Sequence, residues 1–167
     1  MKQLPDRGGA GCAILSAMSG DAAAETAFLA VEREVGVLFR RGRARAAEMS
    51  RMVHPSLEGV AYSMLGFIWQ AGRVRVTDIG LHFGVGKATI SRQIKVIEEL
   101  GLVVREADPQ DGRSFLVSLT PDGEARFLAA REVRLERLRR LLGTWETVDV
   151  RQFAQLLERF NTLTDES

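Results

Sequence analysis

The stretch RVRVTDIGLHFGVGKATISRQIKVIEELGLVVREADPQDGRSFLVSLTPDG, residues 73–123, decides the fold. Its opening Arg73-Val74-Arg75-Val76 alternates in polarity and predicts a brief strand. Thr77 then caps a short helix through Phe83 that stops at Gly84. After the turn Gly84-Val85-Gly86, a second helix is predicted over 87–100 and ends at Gly101. It carries Ile90, Ile94 and Ile97 on one stripe and Ser91, Arg92 and Lys95 on the other face. Two helices across so short a turn have helix-turn-helix spacing. Segments 102–107 and 113–119 are β-prone, and the turn residues 108–112 between them predict a hairpin. A helix-turn-helix followed directly by a hairpin is a winged helix.

Outside this stretch the chain reads as helix. Phe28, Val31, Val35 and Leu38 recur at intervals of three and four, so a long first helix runs from about Asp21 through the arginine-rich segment 40–51. Pro55-Ser56 resets the chain, and Ser56 is the expected N-cap of a second helix bearing Leu57, Val60, Ala61, Met64, Leu65 and Ile68. Downstream, Thr120 caps a helix with Pro121 in its first turn and Leu128, Leu135, Leu138 and Leu142 as its apolar positions. A last helix from Thr147 aligns Val150, Phe153, Leu157 and Phe160. Residues 1–20, with glycines at 8, 9, 11 and 20 and little periodicity, read as a flexible extension in which Met18 is an alternative start. The expected class is mainly α within α+β. A winged helix over 53–120 is flanked by helical segments 21–52 and 121–167.

The 167 residues are 46% hydrophobic and 27% charged, the balance of one globular domain with an extension. No apolar run reaches the roughly 18 residues needed to cross a bilayer, so no membrane partner is expected. A cytoplasmic location fits the single cysteine, Cys12, which also excludes an internal disulfide framework. Cys12 lies among glycines with no electropositive neighbour and reads as an inert thiol. Two histidines, His54 and His82, leave little material for a metal site, and neither metal nor cofactor is expected. There is no Ser-His-Asp ordering and no phosphate-cradling Gly-Lys-Ser/Thr loop, which argues against an enzyme.

Lys and Arg total 23 against 22 acids, a balance that announces no partner. Position is more informative. Residues 73–95 hold Arg73, Arg75, Lys87, Arg92 and Lys95 against Asp78 alone, a local surplus of +4. In a helix-turn-helix the second helix enters the DNA major groove, where Lys87, Thr89, Ser91, Arg92 and Lys95 would be the available groups. The planar fork of Arg92 matches guanine O6 and N7, whereas Lys87 and Lys95 suit phosphates. On the hairpin, Asp108 and Asp111 are the expected wing-stabilising residues, and Arg113 beside them reaches a minor groove, is held by a carboxylate, or does both, with one aspartate orienting the arginine that the groove receives.

Residues 84–123 resemble the reader helix and wing of the multiple-antibiotic-resistance regulator (MarR) family. The most specific element is the pattern Asp-x-Arg-x-x-x-Val-x-Leu-Thr, met by Asp111, Arg113, Val117, Leu119 and Thr120. The order and length of the helices extend the likeness over residues 25–163. The resemblance implies a homodimer, joined through the first and last two helices, that binds a pseudo-palindromic double-stranded DNA operator, most often as a repressor. It also implies release by a small-molecule effector, an aromatic acid or phenol. Arg40, His54, Tyr62 and Trp69 are the candidate lining, although Tyr62 and Trp69 at helical spacing equally suit a core. Two positions depart from the family pattern: Gly86 replaces a capping serine and Gly80 a packing alanine, and both are expected to loosen the reader element. The alternative is a dimeric winged-helix interaction module without DNA binding, which calls for a reader helix stripped of positive charge.

Overall fold

A computed structural model describes residues 9–57 and 59–165, with side chains over 22–57, 59–111 and 114–163. The elements in chain order are α1 (Gly9–Val53), α2 (Ala61–Ala71), β1 (Val74–Arg75), α3 (Val76–His82), α4 (Lys87–Glu99), β2 (Val103–Asp108), β3 (Asp111–Leu119), α5 (Pro121–Leu142) and α6 (Thr147–Asp165). Residues up to Arg45 form one compact unit and those from Ala46 onward another.

In the first unit, α1 begins at Gly9, so residues 9–20, expected as an extension, belong to the helix. Alanine, leucine and methionine around the glycines supply the helix propensity that a periodicity reading overlooks. Phe28, Val31 and Leu38 are all more than half exposed in the single chain. Cys12 has a side chain outside the described residues.

The second unit is built around one core. Met64, Leu65 and Ile68 of α2, Ile79 of α3, and Ile90, Ile94 and Ile97 of α4 are fully buried with Leu102, Val103 and Val117 of the sheet region and Phe127 of α5. Each buried branched side chain is worth about 1.5–3 kcal/mol, so the isoleucine stripe of α4 is what fixes the opposite, polar face outward.

Two expected caps are corrected. The second helix begins at Ala61, and Ser56 lies in a turn closed by Leu57 N donating to His54 O at 2.9 Å. The side chain serving the α2 start is buried Ser50, near the end of α1, whose Oγ accepts from Tyr62 N at 3.0 Å. Thr77 is likewise inside α3, whose N-cap is Arg75 in an extended conformation without a side-chain cap. The expected ends at Gly84 and Gly101 hold. Gly101, at φ +72°, closes α4 as its N–H donates to Glu98 O while Leu102 N donates to Ile97 O, the paired bonds of a Schellman motif.

The sheet has strand order β1-β3-β2, antiparallel throughout. Val74 pairs with Val117, and Val103 with Leu119, placing one apolar row against the core. The hairpin tip is shorter than the expected five-residue turn, since only Pro109 and Gln110 lie between the strands. Asp108 explains the tightening: its Oδ1 accepts from Gln110 N at 2.9 Å.

Thr120 caps α5 as expected, its Oγ1 accepting from Gly123 N at 3.0 Å, and it also donates to Gly101 O at 2.7 Å. The face of α5 that packs on the core is Gly123, Phe127 and Ala130, not the leucine series; Leu128 and Leu138 stay exposed.

Candidate nucleic-acid interface

With the isoleucines of α4 turned to the core, Lys87, Thr89, Arg92 and Lys95 are exposed on its other side and Ser91 is half-buried. Gly86 is the N-cap residue and supplies no side-chain bond, so the first-turn N–H groups of α4 receive no cap from it. Those N–H groups carry the positive end of the helix dipole and suit an anion. Gly80 has a structural reason to be glycine: a Cβ there would lie 3.1 Å from Val85 O in the turn before α4. It therefore lets α3 and the turn approach closely. His82 packs as well, stacking on Phe67 with ring centroids 4.0 Å apart.

The +4 surplus is redistributed by ion pairing. Arg73 pairs with Glu106, and Arg75 Nε lies 2.7 Å from Asp108 Oδ2, so Arg75 of β1 and Arg73 just before it both pair with carboxylates of β2, the strand on the far side of β3. Lys95 Nζ is 3.7 Å from Glu99 Oε1, an exposed pair worth only a few tenths of a kcal/mol and easily opened. Among the described residues Lys87 and Arg92 have no carboxylate partner, which concentrates the available positive charge on the first half of α4.

Both wing aspartates are engaged within the sheet region. Asp108 is buried and engaged with Arg75, and Asp111 Oδ2 accepts from Ser114 Oγ at 2.7 Å. The backbone N–H of Gln110 and the guanidinium of Arg75 together hold the Asp108 carboxyl below its ordinary pKa, and Asp108 in turn raises that of Arg75. Arg113 lies in β3, with its side chain outside the described residues. On the opposite face of the sheet, Arg105 Nε sits 2.9 Å from Glu98 Oε2 of α4 without hydrogen-bond alignment, and its guanidinium covers the Phe115 ring at 5.2 Å. A cavity of about 250 Å³ opens between α4 and the wing, lined in part by Thr77, Lys87, Ser91, Arg105 and Ser114. Glu98 and Arg75 went unnoticed as structural partners. The charge alternation of Arg73-Val74-Arg75 against Glu106-Ala107-Asp108 was the available signal.

A second cavity, about 270 Å³, lies between α2 and α5. Tyr62 and Trp69 both line it, and both pack on Phe127 with centroids 5.3 and 5.8 Å away, so the same two rings pack on the core and form a wall of the cavity. Its cations are Arg131, 5.4 Å over Trp69, and Arg134, 5.9 Å over Tyr62. His54 is not in its lining; its Nδ1 accepts from Ser56 N at 3.2 Å in the turn after α1. Arg40 lies on α1 in the first unit. Among the described residues no group of acids, histidines or cysteines is placed to hold a metal ion, and no helix is long and apolar enough to cross a membrane.

A helix-turn-helix completed by a three-stranded sheet and a basic outer helix face defines a winged-helix protein of the HTH regulator class. Residues 56–114 match the MarR family. The HTH-type transcriptional regulator YxaD of Bacillus subtilis (strain 168) is 32% identical over 131 residues, covering 78% of this chain and 90% of YxaD. The fold is shared with Streptococcus pneumoniae FabT, solved in complex with DNA, at a TM-score of 0.71 and 12% identity over 83% of this chain and 98% of FabT. It is shared too with a mutant MarR from E. coli complexed with operator DNA, at a TM-score of 0.60 and 19% identity over 76% of this chain and 93% of that one. The chain belongs to the MarR family of transcriptional regulators.

Proposed function

We propose that the protein binds an operator in double-stranded DNA as a homodimer and represses transcription. The observation that carries this reading is the outer face of α4, where Lys87, Thr89 and Arg92 are exposed opposite three buried isoleucines. Two such helices about 34 Å apart would meet successive major grooves, with Lys87, Thr89, Ser91, Arg92 and Lys95 in contact and the Arg113 wings beside them. DNA complexes of FabT and MarR, which share the fold, support the assignment. The role requires a cytoplasmic protein and no catalytic group.

Dimerisation is supported by apolar side chains that a single chain leaves in water: Leu138 and Leu141 on α5, Val148, Leu156 and Leu163 on α6. Exposure on this scale marks an association surface. Control by an aromatic acid or phenol is supported by the α2–α5 cavity, where aromatic walls meet Arg131 and Arg134. The experiment is selection of bound sites from random duplexes, followed by titration with salt and with salicylate as probe. A dimer contacting roughly 8–10 phosphates gives a log–log salt slope of about −7 to −9. No retained duplex, or a slope near zero, refutes DNA binding and favours the interaction-module alternative.

A further inference from the structure

Asp108 is the one buried acid among the described residues, its side chain only 4% exposed at the tip end of the wing. Its two oxygens have separate tasks. Oδ1 accepts from Gln110 N and closes the hairpin tip, while Oδ2 receives Arg75 Nε at 2.7 Å. The register of β2 against β3 is irregular between Ala107 and Asp108, so the pairing ladder alone does not fix the direction of the tip. Arg75 can supply what the ladder lacks because of its own position. It is the last residue of β1 and the N-cap residue of α3, which makes it the joint between the sheet and the helix-turn-helix. Arg73, immediately before β1, forms a second strap with Glu106 of β2.

We propose that Arg75 is a positioning residue for DNA binding: by holding Asp108 across β3, it sets where the wing tip lies relative to α4. The assignment rests on the DNA-binding reading above. It differs from a direct phosphate contact, the role that charge counting gives Arg75, because the guanidinium is committed to a buried carboxylate. Two consequences separate the roles. A positioning residue affects only the part of the affinity that comes through the wing, and its function is lost when the carboxylate it holds is neutralised, whereas a direct phosphate contact would be freed by that change.

The test uses the full chain and two duplexes carrying the selected operator, one with flanking base pairs that the wings would reach and one trimmed to the major-groove core. Wild type is expected to bind the flanked duplex about 5- to 10-fold more tightly, the scale of one or two lost backbone contacts per site. Arg75→Ala should erase most of that ratio and leave core-duplex affinity and base preference unchanged, and Asp108→Asn, which keeps an oxygen for Gln110 N but loses the charge that holds Arg75, should erase it as well. Equal loss on both duplexes, a ratio kept by Asp108→Asn, or a wild-type ratio of one overturns the proposal. Amide hydrogen exchange supplies a readout independent of DNA. Arg75→Ala should accelerate exchange in 106–114 at least 10-fold more than in α4, and equal acceleration overturns the proposal. If no duplex binds wild type, the DNA reading fails by itself, and the exchange result decides whether Arg75 positions the wing.

Discussion

Ser50 Oγ accepts from Tyr62 N at 3.0 Å, so a hydroxyl on α1 caps α2 from twelve residues upstream. Its own hydrogen is shared between Ala46 O at 2.9 Å and Gly59 O at 3.2 Å, leaving no polar atom of this buried side chain idle. Ser50→Ala should cost about 1–3 kcal/mol, because it strands the buried Tyr62 N–H. Urea unfolding with an unchanged m-value checks it; a loss of under a few tenths would mean that water replaces the hydroxyl.

Gly123 faces a harder constraint. A Cβ at this position would fall 1.9 Å from Leu102 O, which is backbone and has nowhere to go. Gly123→Ala is therefore expected to destabilise by about 2 kcal/mol or more, in spite of the roughly 0.5–1 kcal/mol that alanine gains inside a helix. A melting temperature equal to wild type would show that α5 can slide off the strand without loss.

Acid should weaken the wing tip. The Asp108 carboxyl titrates below its ordinary 3.8 in the folded protein because Gln110 N and Arg75 stabilise the anion. A depressed folded pKa contributes stability that is complete above about pH 4 and is lost as pH falls from there through the folded value. The stability gap between wild type and Asp108→Asn should thus be flat from pH 7 to about 5 and narrow below about 4. Paired denaturation curves at several pH values measure it, and a gap that widens in acid contradicts the assigned sign.

On DNA, Arg92 and Lys95 should separate. Arg92→Ala is expected to cost about 1–3 kcal/mol on the selected operator and to relax base preference. Lys95→Ala should weaken selected and random duplexes alike, and less, since Lys95 must first leave Glu99 at 3.7 Å. Fluorescence anisotropy on both duplexes distinguishes the two, and identical profiles would remove the division between reading and positioning.

The winged helix was legible because its signals are local. The isoleucine spacing of α4, Gly101 at its end, and Thr120-Pro121 at the start of α5 each act within a few residues. Ser56 misled for a related reason: it is a good capping residue in the right place, but the actual cap arrives from another helix. Arg75 and Asp108 are 33 residues apart, and only the opposite charge alternation of segments 73–75 and 106–108 links them in the sequence. The α2–α5 cavity shows the same limit. Tyr62 and Trp69 were visible as a pair, whereas Arg131 and Arg134 reach them only through the packing of α5, and His54, close in sequence, is turned to its own loop.

The strand order β1-β3-β2 carries a kinetic consequence. β1 has only two residues and pairs only with β3, the last strand made. The helix-turn-helix is thus the loop that this small pairing closes, and the closure entropy falls due before its contacts form. Until residues near Val117 emerge, Val74 has no strand beside it. A chain halted during synthesis before β3 would hold α3 and α4 without the strand that fastens them. Competence to recognise a partner should therefore arise late and in one step, and unfolding should release helix pair and hairpin at a single rate.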